Sequence, residues 1–215
     1  MPLIKLENLN NDVCWGLWEI TESNSDLHLL LNNSQDAKKL LSIRSEEKIS
    51  EKIAARLILK EILQSWNLPY WGTMGEDSGK PILLHHTYNI SLSHSHKSAV
   101  AIIHKKAEIG IDIELIQEKI GRIAPRVFTA DEMGEFKRDY ELLTVLWTFK
   151  EVLYKIYGSR GLDFKENIEI MSLIKNKNEG FGKGQIKVKE AIQLFDLKYE
   201  RFKEFIISYN TSRSN

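Results

Sequence analysis

Apolar residues recur every fourth position within Ser45–Trp66, and this spacing predicts a long amphipathic helix. A second long helix is predicted over Tyr140–Tyr157, where Gly158 ends it. Short segments that favour extended structure lie between and beyond these helices. Because each helix has an apolar side to bury and strands follow it closely, the pattern predicts an α+β fold.

The other predicted elements are short. A capped helix is expected at Asp26–Leu31, and two more helical segments meet near Phe128 and Thr129. Glycine-rich stretches predict loops at Gly72–Pro81 and Asn176–Gly184. Apolar, β-branched and aromatic runs predict strands at Cys14–Ile20, Tyr88–Ser93, Ala99–His104, Ile109–Leu115, Ile168–Ile174, Gln185–Val188 and Phe205–Tyr209.

The order of these elements occurs twice along the chain, although no sequence repeat is evident. Strand, helices and paired strands fill residues 1–105, and a similar series fills residues 106–215. Each stretch is long enough to bury a core of its own. The sequence therefore predicts two α+β halves, and the join between such halves is a natural place for a ligand cleft.

Composition excludes several classes of protein. The chain is 42% apolar and 28% charged, as in ordinary globular proteins. Its 30 Lys and Arg balance its 30 Asp and Glu, so it has no basic surplus for a nucleic-acid backbone. The single cysteine, Cys14, rules out an internal disulfide and a CxxC pair, which favours a reducing compartment.

The amino-terminal residues MPLIKLENLN lack the continuous apolar stretch of a signal peptide, and no apolar run reaches the roughly 18 residues of a membrane span. The sequence therefore predicts a cytoplasmic protein with no membrane and no nucleic-acid partner.

Two carboxylates alternate with apolar residues in the segment IGIDIE. In a strand Asp112 and Glu114 point to the same side, while Ile111 and Ile113 point to the other. Neighbouring carboxylates repel each other unless a cation lies between them, and Mg²⁺ takes oxygen ligands of this kind. The alternative is that both carboxylates are solvated on an exposed face.

Trp147, Glu151 and Lys155 are spaced four residues apart on the second long helix and so form one stripe. Lys150, Glu151 and Lys155 are the charges that interrupt an otherwise apolar run, which places them at the edge of a buried surface. If Glu151 meets the two strand carboxylates, the three supply a Mg²⁺ site. The alternative is an ordinary surface pair between Glu151 and Lys155.

Other polar residues allow two interpretations. Glu132 completes a capping box with Thr129, which competes with any functional role. Arg56 could extend along the surface of its helix with its charge in water. His94 and His96 could face one way as zinc ligands, but no third ligand stands at a recognisable spacing.

Five segments, taken together, resemble the 4′-phosphopantetheinyl transferases, and most closely the larger, single-chain group typified by the surfactin-synthetase activator. The segments are SGKP, SLSHS, IGIDIE, FTADE and WTFKEVLYKIYG, in the family's order. The combination of GIDIE with WxxKExxxK is the specific part. The resemblance covers about residues 79–162, with ARLILKEIL around Arg56 as a weaker extension.

The resemblance implies two pseudo-twofold α+β halves with the active site between them. It implies an enzyme that moves the phosphopantetheine arm of coenzyme A to a serine of an apo acyl or peptidyl carrier protein, releasing adenosine 3′,5′-bisphosphate. Because the smaller relatives assemble their site from separate subunits, a chain that carries both halves is expected to act as a monomer.

The resemblance also implies roles for individual residues. Asp112, Glu114 and Glu151 match the carboxylates that bind Mg²⁺, and Glu151 matches the proposed general base. Lys155 matches a lysine that contacts the pyrophosphate, with Lys150 as its helper. The positions matched to coenzyme A contacts are Arg56, Lys80, Ser93, His94 and Lys155, and Glu132 matches a further acidic position.

Two other functions fit parts of the sequence. A non-catalytic module of the same fold could hold coenzyme A or a carrier protein without turnover. A metal-dependent phosphohydrolase could act on a nucleotide and release phosphopantetheine to water. Nothing in the sequence favours the non-catalytic module, because all three carboxylates and Lys155 are present, and the phosphohydrolase is a third alternative.

Overall fold

The computed structural model describes residues 2–75, 80–134, 139–159 and 161–214, and for residues 212–214 it describes the backbone alone. The chain divides into two compact units, Met1–Ile109 and Gly110–Asn215. Both units combine helices with an antiparallel sheet, so the α+β prediction is confirmed. In the part of the chain described, no helix is long and apolar enough to cross a membrane.

The first unit contains a six-stranded antiparallel sheet in the order β1-β2-β6-β5-β4-β3. Two of its inner strands are buried along most of their length, because the side chains on both of their faces are mostly apolar. The strands are β1 (Leu3–Asn8), β2 (Val13–Glu19), β3 (Thr73–Met74), β4 (Ile82–Leu83), β5 (Asn89–Ser95) and β6 (Ser98–His104).

Among the residues described, the helices of this unit are α1 (Asn24–Leu31), α2 (Ser34–Leu40) and α3 (Glu46–Ser65). Ser45 caps the long helix α3 by accepting a hydrogen bond from the Lys48 backbone N–H. The apolar side of α3, including Ile53, Ile58 and Ile62, is fully buried in the core formed with the sheet. The long helix predicted over Ser45–Trp66 is therefore confirmed to within a residue.

The second unit contains a five-stranded antiparallel sheet in the order β7-β11-β10-β9-β8. The elements in chain order are β7 (Ile111–Leu115), α4 (Ile120–Val127), α5 (Ala130–Met133), α6 (Tyr140–Tyr157), β8 (Ile168–Lys175), β9 (Glu179–Val188), β10 (Ala191–Phe202) and β11 (Phe205–Ser214). Asp139 caps α6 at its start, and Gly158 ends it in the left-handed conformation. This helix packs across the sheet and fills the core.

Alternating glycines on β9 leave room for neighbouring groups, and two of them, Gly182 and Gly184, leave it for that helix. A Cβ atom at Gly182 would lie 2.5 Å from Cε2 of Phe149, and one at Gly184 would lie 2.7 Å from Cδ1 of Leu153. A Cβ at Gly180 would collide with the ring of Tyr199. The glycines therefore let α6 and its neighbours approach the sheet more closely than any larger residue allows.

Several sequence predictions of local structure were wrong. Asn176–Gly184 is mostly strand β9 rather than a loop, because its glycines serve packing instead of a turn. The strands β1, β3, β4 and β10 and the helix α2 were not predicted at all, and β3 lies within the predicted loop Gly72–Pro81. Residues 76–79, part of the predicted loop Gly72–Pro81, lie outside the described residues.

Candidate active site

Strand β7 of the second unit carries Asp112 and Glu114 on one side, as their alternation predicts. In the antiparallel register with β11, Asp112 lies opposite Ser208 and Glu114 lies opposite Ile206. Asp112 is only 3% exposed, whereas Glu114 is half-buried. The alternative of two solvated carboxylates on an exposed face is therefore wrong for Asp112.

Helix α6 lies close over the start of β7 because position 110 is glycine. A Cβ atom there would lie 2.5 Å from the backbone oxygen of Val152, a distance that no side chain can tolerate. The Gly110 N–H donates to Oδ1 of Asn210 at 2.8 Å. A buried hydrogen bond of 2.7 Å between the hydroxyls of Thr148 and Ser208 further fixes α6 to β11. These contacts place the polar side of α6 beside the strand carboxylates.

Lys155 reaches from α6 to β7. Its ammonium donates to Oδ1 of Asp112 at 2.7 Å and to the backbone oxygen of Ile111 at 3.0 Å. The Lys155 side chain is 25% exposed and the Asp112 side chain 5% exposed. Lys155 therefore forms an ion pair with a buried carboxylate on another element, rather than the surface pair within the helix that the spacing also allowed.

Glu151 lies one helical turn before Lys155 and is half-buried. Burial and the nearby charges of Asp112 and Glu114 raise the pKa of Glu151 from its ordinary value of 4.5 to about 7, while the charge of Lys155 opposes that rise. Each of these charges acts on Glu151 only because the groups are close. The helical carboxylate thus lies within electrostatic range of both strand carboxylates.

Trp147 begins the same stripe and contacts the third carboxylate. Its indole N–H donates to Oε1 of Glu114 at 3.4 Å, a weak hydrogen bond. The two residues line a pocket of about 150 Å³, together with Ile120 and Ile123 of α4 and Thr144 of α6. The pocket gives the acidic cluster an apolar neighbour within the same unit.

Lys150 and Glu132 form a different, structural cluster. The Lys150 ammonium is fully buried, pairs with Oε2 of Glu132 at 2.8 Å and donates to the carbonyls of Val127, Phe164 and Ile168. Glu132 also completes the capping box with Thr129 that the sequence predicts. An ammonium has three N–H groups, so these acceptors use its whole capacity. The expected catalytic help from Lys150 finds no support in this geometry, and the capping interpretation of Glu132 is confirmed.

Arg56 belongs to a buried polar cluster of the first unit. Its side chain is 1% exposed, and its Nε donates to Oδ1 of Asp36 at 3.1 Å. Asp36 also accepts hydrogen bonds from the Thr73 N–H, the Thr73 hydroxyl and the Tyr70 hydroxyl. Arg56 is therefore not a surface residue with its charge in water. Its predicted contact with coenzyme A stays a prediction.

The remaining candidates for coenzyme A contacts lie in the first unit. Nδ1 of His94 lies 2.9 Å from Oε2 of Glu51, whose pKa is raised by burial. Ser93 is half-buried on β5 next to His94. Nζ of Lys80 is buried without a hydrogen-bond partner among the described residues, and burial lowers the pKa of Lys80. Gly79, which precedes Lys80 in the SGKP motif, lies outside the described residues.

The metal predictions can be compared with this geometry. Within residues 2–75, 80–134, 139–159 and 161–214, no three His, Cys, Asp or Glu side chains are arranged to hold a metal ion. The zinc alternative for His94 and His96 therefore has no support. At the acidic cluster, the cation that pairs with Asp112 in the structure is the Lys155 ammonium.

Some residues of these clusters were not predicted from the sequence. Asp36 and Glu51 are acidic residues on helices that also carry many exposed charges, so nothing in the local pattern marks them as buried partners. Asn210 and Ser208 lie on a strand whose polar residues look like a solvated face. Only the pairing of β11 with β7 brings them under α6.

Comparison with known proteins gives a family match for the second unit. Residues 108–209 match the family model described as the 4′-phosphopantetheinyl transferase superfamily, a range that includes Asp112, Glu114, Glu151 and Lys155. Residues 108–209 are thus a domain of the 4′-phosphopantetheinyl transferase superfamily, as the motifs predicted. No curated protein matches the chain. Its membership of the larger, single-chain group stays a prediction.

Proposed function

We propose that this protein transfers the 4′-phosphopantetheine group of coenzyme A to a serine of an apo acyl or peptidyl carrier protein in a Mg²⁺-dependent reaction. The products are the holo carrier protein and adenosine 3′,5′-bisphosphate. The observation that carries the proposal is the cluster of Asp112, Glu114 and Glu151 with Lys155. This cluster lies inside the range that matches the superfamily.

The chemistry of the donor set suits a hard divalent cation, and binding would draw the three carboxylates into a ligand arrangement that they do not have in the structure described. Three carboxylates supply oxygen ligands. Burial is the largest cause of the raised pKa of Glu151, and repulsion from the charges of Asp112 and Glu114 adds to it. Asp112, Glu114 and Glu151 would hold Mg²⁺, and the bound ion would neutralise charge on the diphosphate oxygens. In the first unit the buried ammonium of Lys80 fits a phosphate group, because a buried cation is stabilised by an anionic acceptor.

The chemistry assigned to the side chains balances in one step. The carrier serine hydroxyl attacks the phosphorus that bears the pantetheine arm, and its proton passes to a Glu151 carboxylate oxygen. The bond from that phosphorus to the bridging oxygen breaks, and the electron pair leaves with adenosine 3′,5′-bisphosphate. Lys155 stabilises the negative charge on the departing phosphate.

The carrier protein is proposed to dock along α4. This helix buries Ile120 and Ala124 and exposes Arg122 and Arg126 on its other side. The pocket lined by Ile120, Ile123 and Trp147 connects that helix to Glu114. Exposed arginines suit an acidic partner and speed its encounter, even though the whole chain has no net charge.

The decisive experiment measures the intact mass of carrier proteins. Full-length protein is incubated with Mg²⁺, coenzyme A and a panel of apo acyl and peptidyl carrier proteins. Transfer adds about 340 Da to a carrier, which is the mass of the phosphopantetheine group. If no carrier gains mass while free phosphopantetheine accumulates, the protein is a hydrolase and the proposal is wrong.

Matched variants connect the activity to the cluster. E151Q and D112N keep the shape of each side chain and remove its charge, so both are expected to lower the transfer rate at least about a hundredfold. E169Q changes an exposed glutamate of β8 that pairs with Lys187 and serves as the control. Equal rates for E151Q and the unmodified protein would remove Glu151 from the mechanism.

A further inference from the structure

Lys155 and a divalent cation compete for one carboxylate in the second unit. The Lys155 ammonium lies 2.7 Å from Oδ1 of Asp112, a contact distance for an ion pair. The same ammonium is held by the carbonyl of Ile111 at 3.0 Å. A cation that uses Asp112 as a ligand would lie near the positive charge of Lys155, because both would bind the same carboxylate.

The surroundings make this pair more than a surface contact. The Asp112 side chain is 5% exposed, and its second oxygen, Oδ2, is buried. Buried charges are weakly screened, so an ammonium and a divalent cation beside the same carboxylate repel each other strongly. The Lys155 side chain, by contrast, is 25% exposed and starts from the last turns of α6. It therefore has a route toward solvent that Asp112 lacks.

We propose that Lys155 serves as the internal counter-cation of the metal-free site, and that binding of a divalent cation displaces its ammonium from Asp112. The released ammonium is then available to an anionic group of the ligand. This inference rests on the proposed function, because it assigns the released lysine to the coenzyme A diphosphate. It adds an order of events, since Lys155 reaches the phosphate only when the cation is present.

The exchange also explains a feature of the cluster. Asp112 and Glu114 project from the same side of β7, yet among the described residues they form no set of metal ligands with Glu151. A lysine that neutralises Asp112 stabilises the metal-free protein and holds this carboxylate away from a ligand arrangement. The same lysine lowers the affinity of the site for the cation.

The first measurement follows the lysine ammonium directly. Full-length protein labelled with ¹⁵N is studied by a spectrum selective for lysine NH₃⁺ groups, and K155M assigns the Lys155 signal by its loss. We expect that signal in EDTA and its disappearance at saturating Mg²⁺. The fully buried Lys150 ammonium serves as the internal reference, because its four acceptors do not involve the cluster. A Lys155 signal that stays unchanged with Mg²⁺ bound overturns the inference.

The second measurement gives affinity without turnover. Binding of Mn²⁺, followed by the electron paramagnetic resonance signal of the free ion, is compared for the unmodified protein, K155M and K119M. Lys119 is an exposed lysine beside the Glu114 pocket and controls for the loss of one charge. K155M is expected to bind about five- to tenfold more tightly, and K119M within about twofold of the unmodified protein.

The outcomes separate this inference from the proposed function. Equal affinities for K155M and K119M show that only overall charge matters, and the exchange is then wrong while carrier loading can still hold. Binding to neither the unmodified protein nor K155M overturns both the exchange and the metal site. If Mg²⁺ displaces Lys155 but no carrier gains mass, the exchange is supported and the proposed reaction is contradicted.

Discussion

Lys150 and Lys155 are five positions apart on one helix, and the structure gives them different tasks. Both interrupt the apolar run of α6, and both pair with a carboxylate. Lys150 is fully buried with Glu132 and three carbonyls, whereas Lys155 is partly exposed beside Asp112. The sequence could show that both charges sit against a buried surface. It could not show which acceptors each one finds, because those acceptors come from distant segments.

K150M tests the structural assignment of Lys150. Removing one partner of a buried ion pair costs about 3 to 5 kcal/mol, and three carbonyls lose their donor as well. We expect the melting temperature of K150M to fall by about 8 °C or more in thermal unfolding. K150M/E132Q should recover part of the loss, because it removes the stranded charge. A K150M protein that melts normally but no longer transfers phosphopantetheine would instead make Lys150 catalytic.

Glu151 makes stability depend on pH in the metal-free protein. Its pKa is about 7 in the folded chain against an ordinary 4.5, so ionisation disfavours the folded state. Below pH 4.5 Glu151 is neutral in both the folded and the unfolded chain and does not reduce the free energy of unfolding. As the pH rises from 4.5 to about 7, the unfolded chain loses this proton first, so the free energy of unfolding falls.

E151Q removes this dependence. In EDTA at about pH 8 the variant is expected to melt about 3 to 6 °C above the unmodified protein, a range reduced for solvent screening of a half-buried group. At about pH 4.5 the two proteins should melt together. Melting curves at both values of pH check this, and a constant difference would show that charge on Glu151 is not the cause.

A helix or strand could be predicted when its sequence pattern is compatible with a single kind of structure. The spacing of α3 and α6 has one meaning, and both helices were predicted. The alternating glycines of β9 have two, because glycine serves turns as well as close packing. Strand β10 was missed although Phe195, Leu197 and Tyr199 alternate as buried residues, since charged residues between them resemble a solvated loop.

The fit between β9 and α6 is testable by a pair of substitutions. G184A is expected to destabilise the protein by about 1 to 2 kcal/mol, because its Cβ would lie 2.7 Å from Cδ1 of Leu153. L153V alone should cost about 1 kcal/mol by leaving a small cavity. The double variant should be at least about 1 kcal/mol more stable than the sum predicts. Chemical unfolding of all four proteins measures this, and strictly additive losses would contradict the proposed contact.

At the scale of the whole chain, the sequence could predict two α+β stretches and the family of the second. It placed the fold class correctly because the alternation of helices and strands survives errors in single strands. The partners of Arg56, His94 and Lys150 were beyond its reach, since each contact joins elements far apart in sequence. The proposed docking of a carrier protein also concerns the whole chain, because it depends on how exposed charged residues are distributed over the surface.

R122E/R126E tests the docking surface on α4. Both arginines are exposed, so reversing their charge leaves the core intact and repels an acidic carrier. We expect the KM for the carrier to rise about tenfold at low salt, with the KM for coenzyme A unchanged. K177E/K189E, which reverses two exposed lysines in hairpin turns, is the control. A KM for the carrier that does not move would place docking elsewhere.

The hydrogen bonds to Asp36 also have a consequence for the motions of the first unit. Thr73 lies in a strand of only two residues, and such a strand alone would let its amide proton exchange with solvent rapidly. That N–H instead donates to the buried Asp36 carboxylate, which Arg56 and Tyr70 hold in place. Deuterium uptake at Thr73 should consequently be slow and should follow the rare openings that separate α2 from α3, so that a two-residue strand measures the stability of the longest helix described.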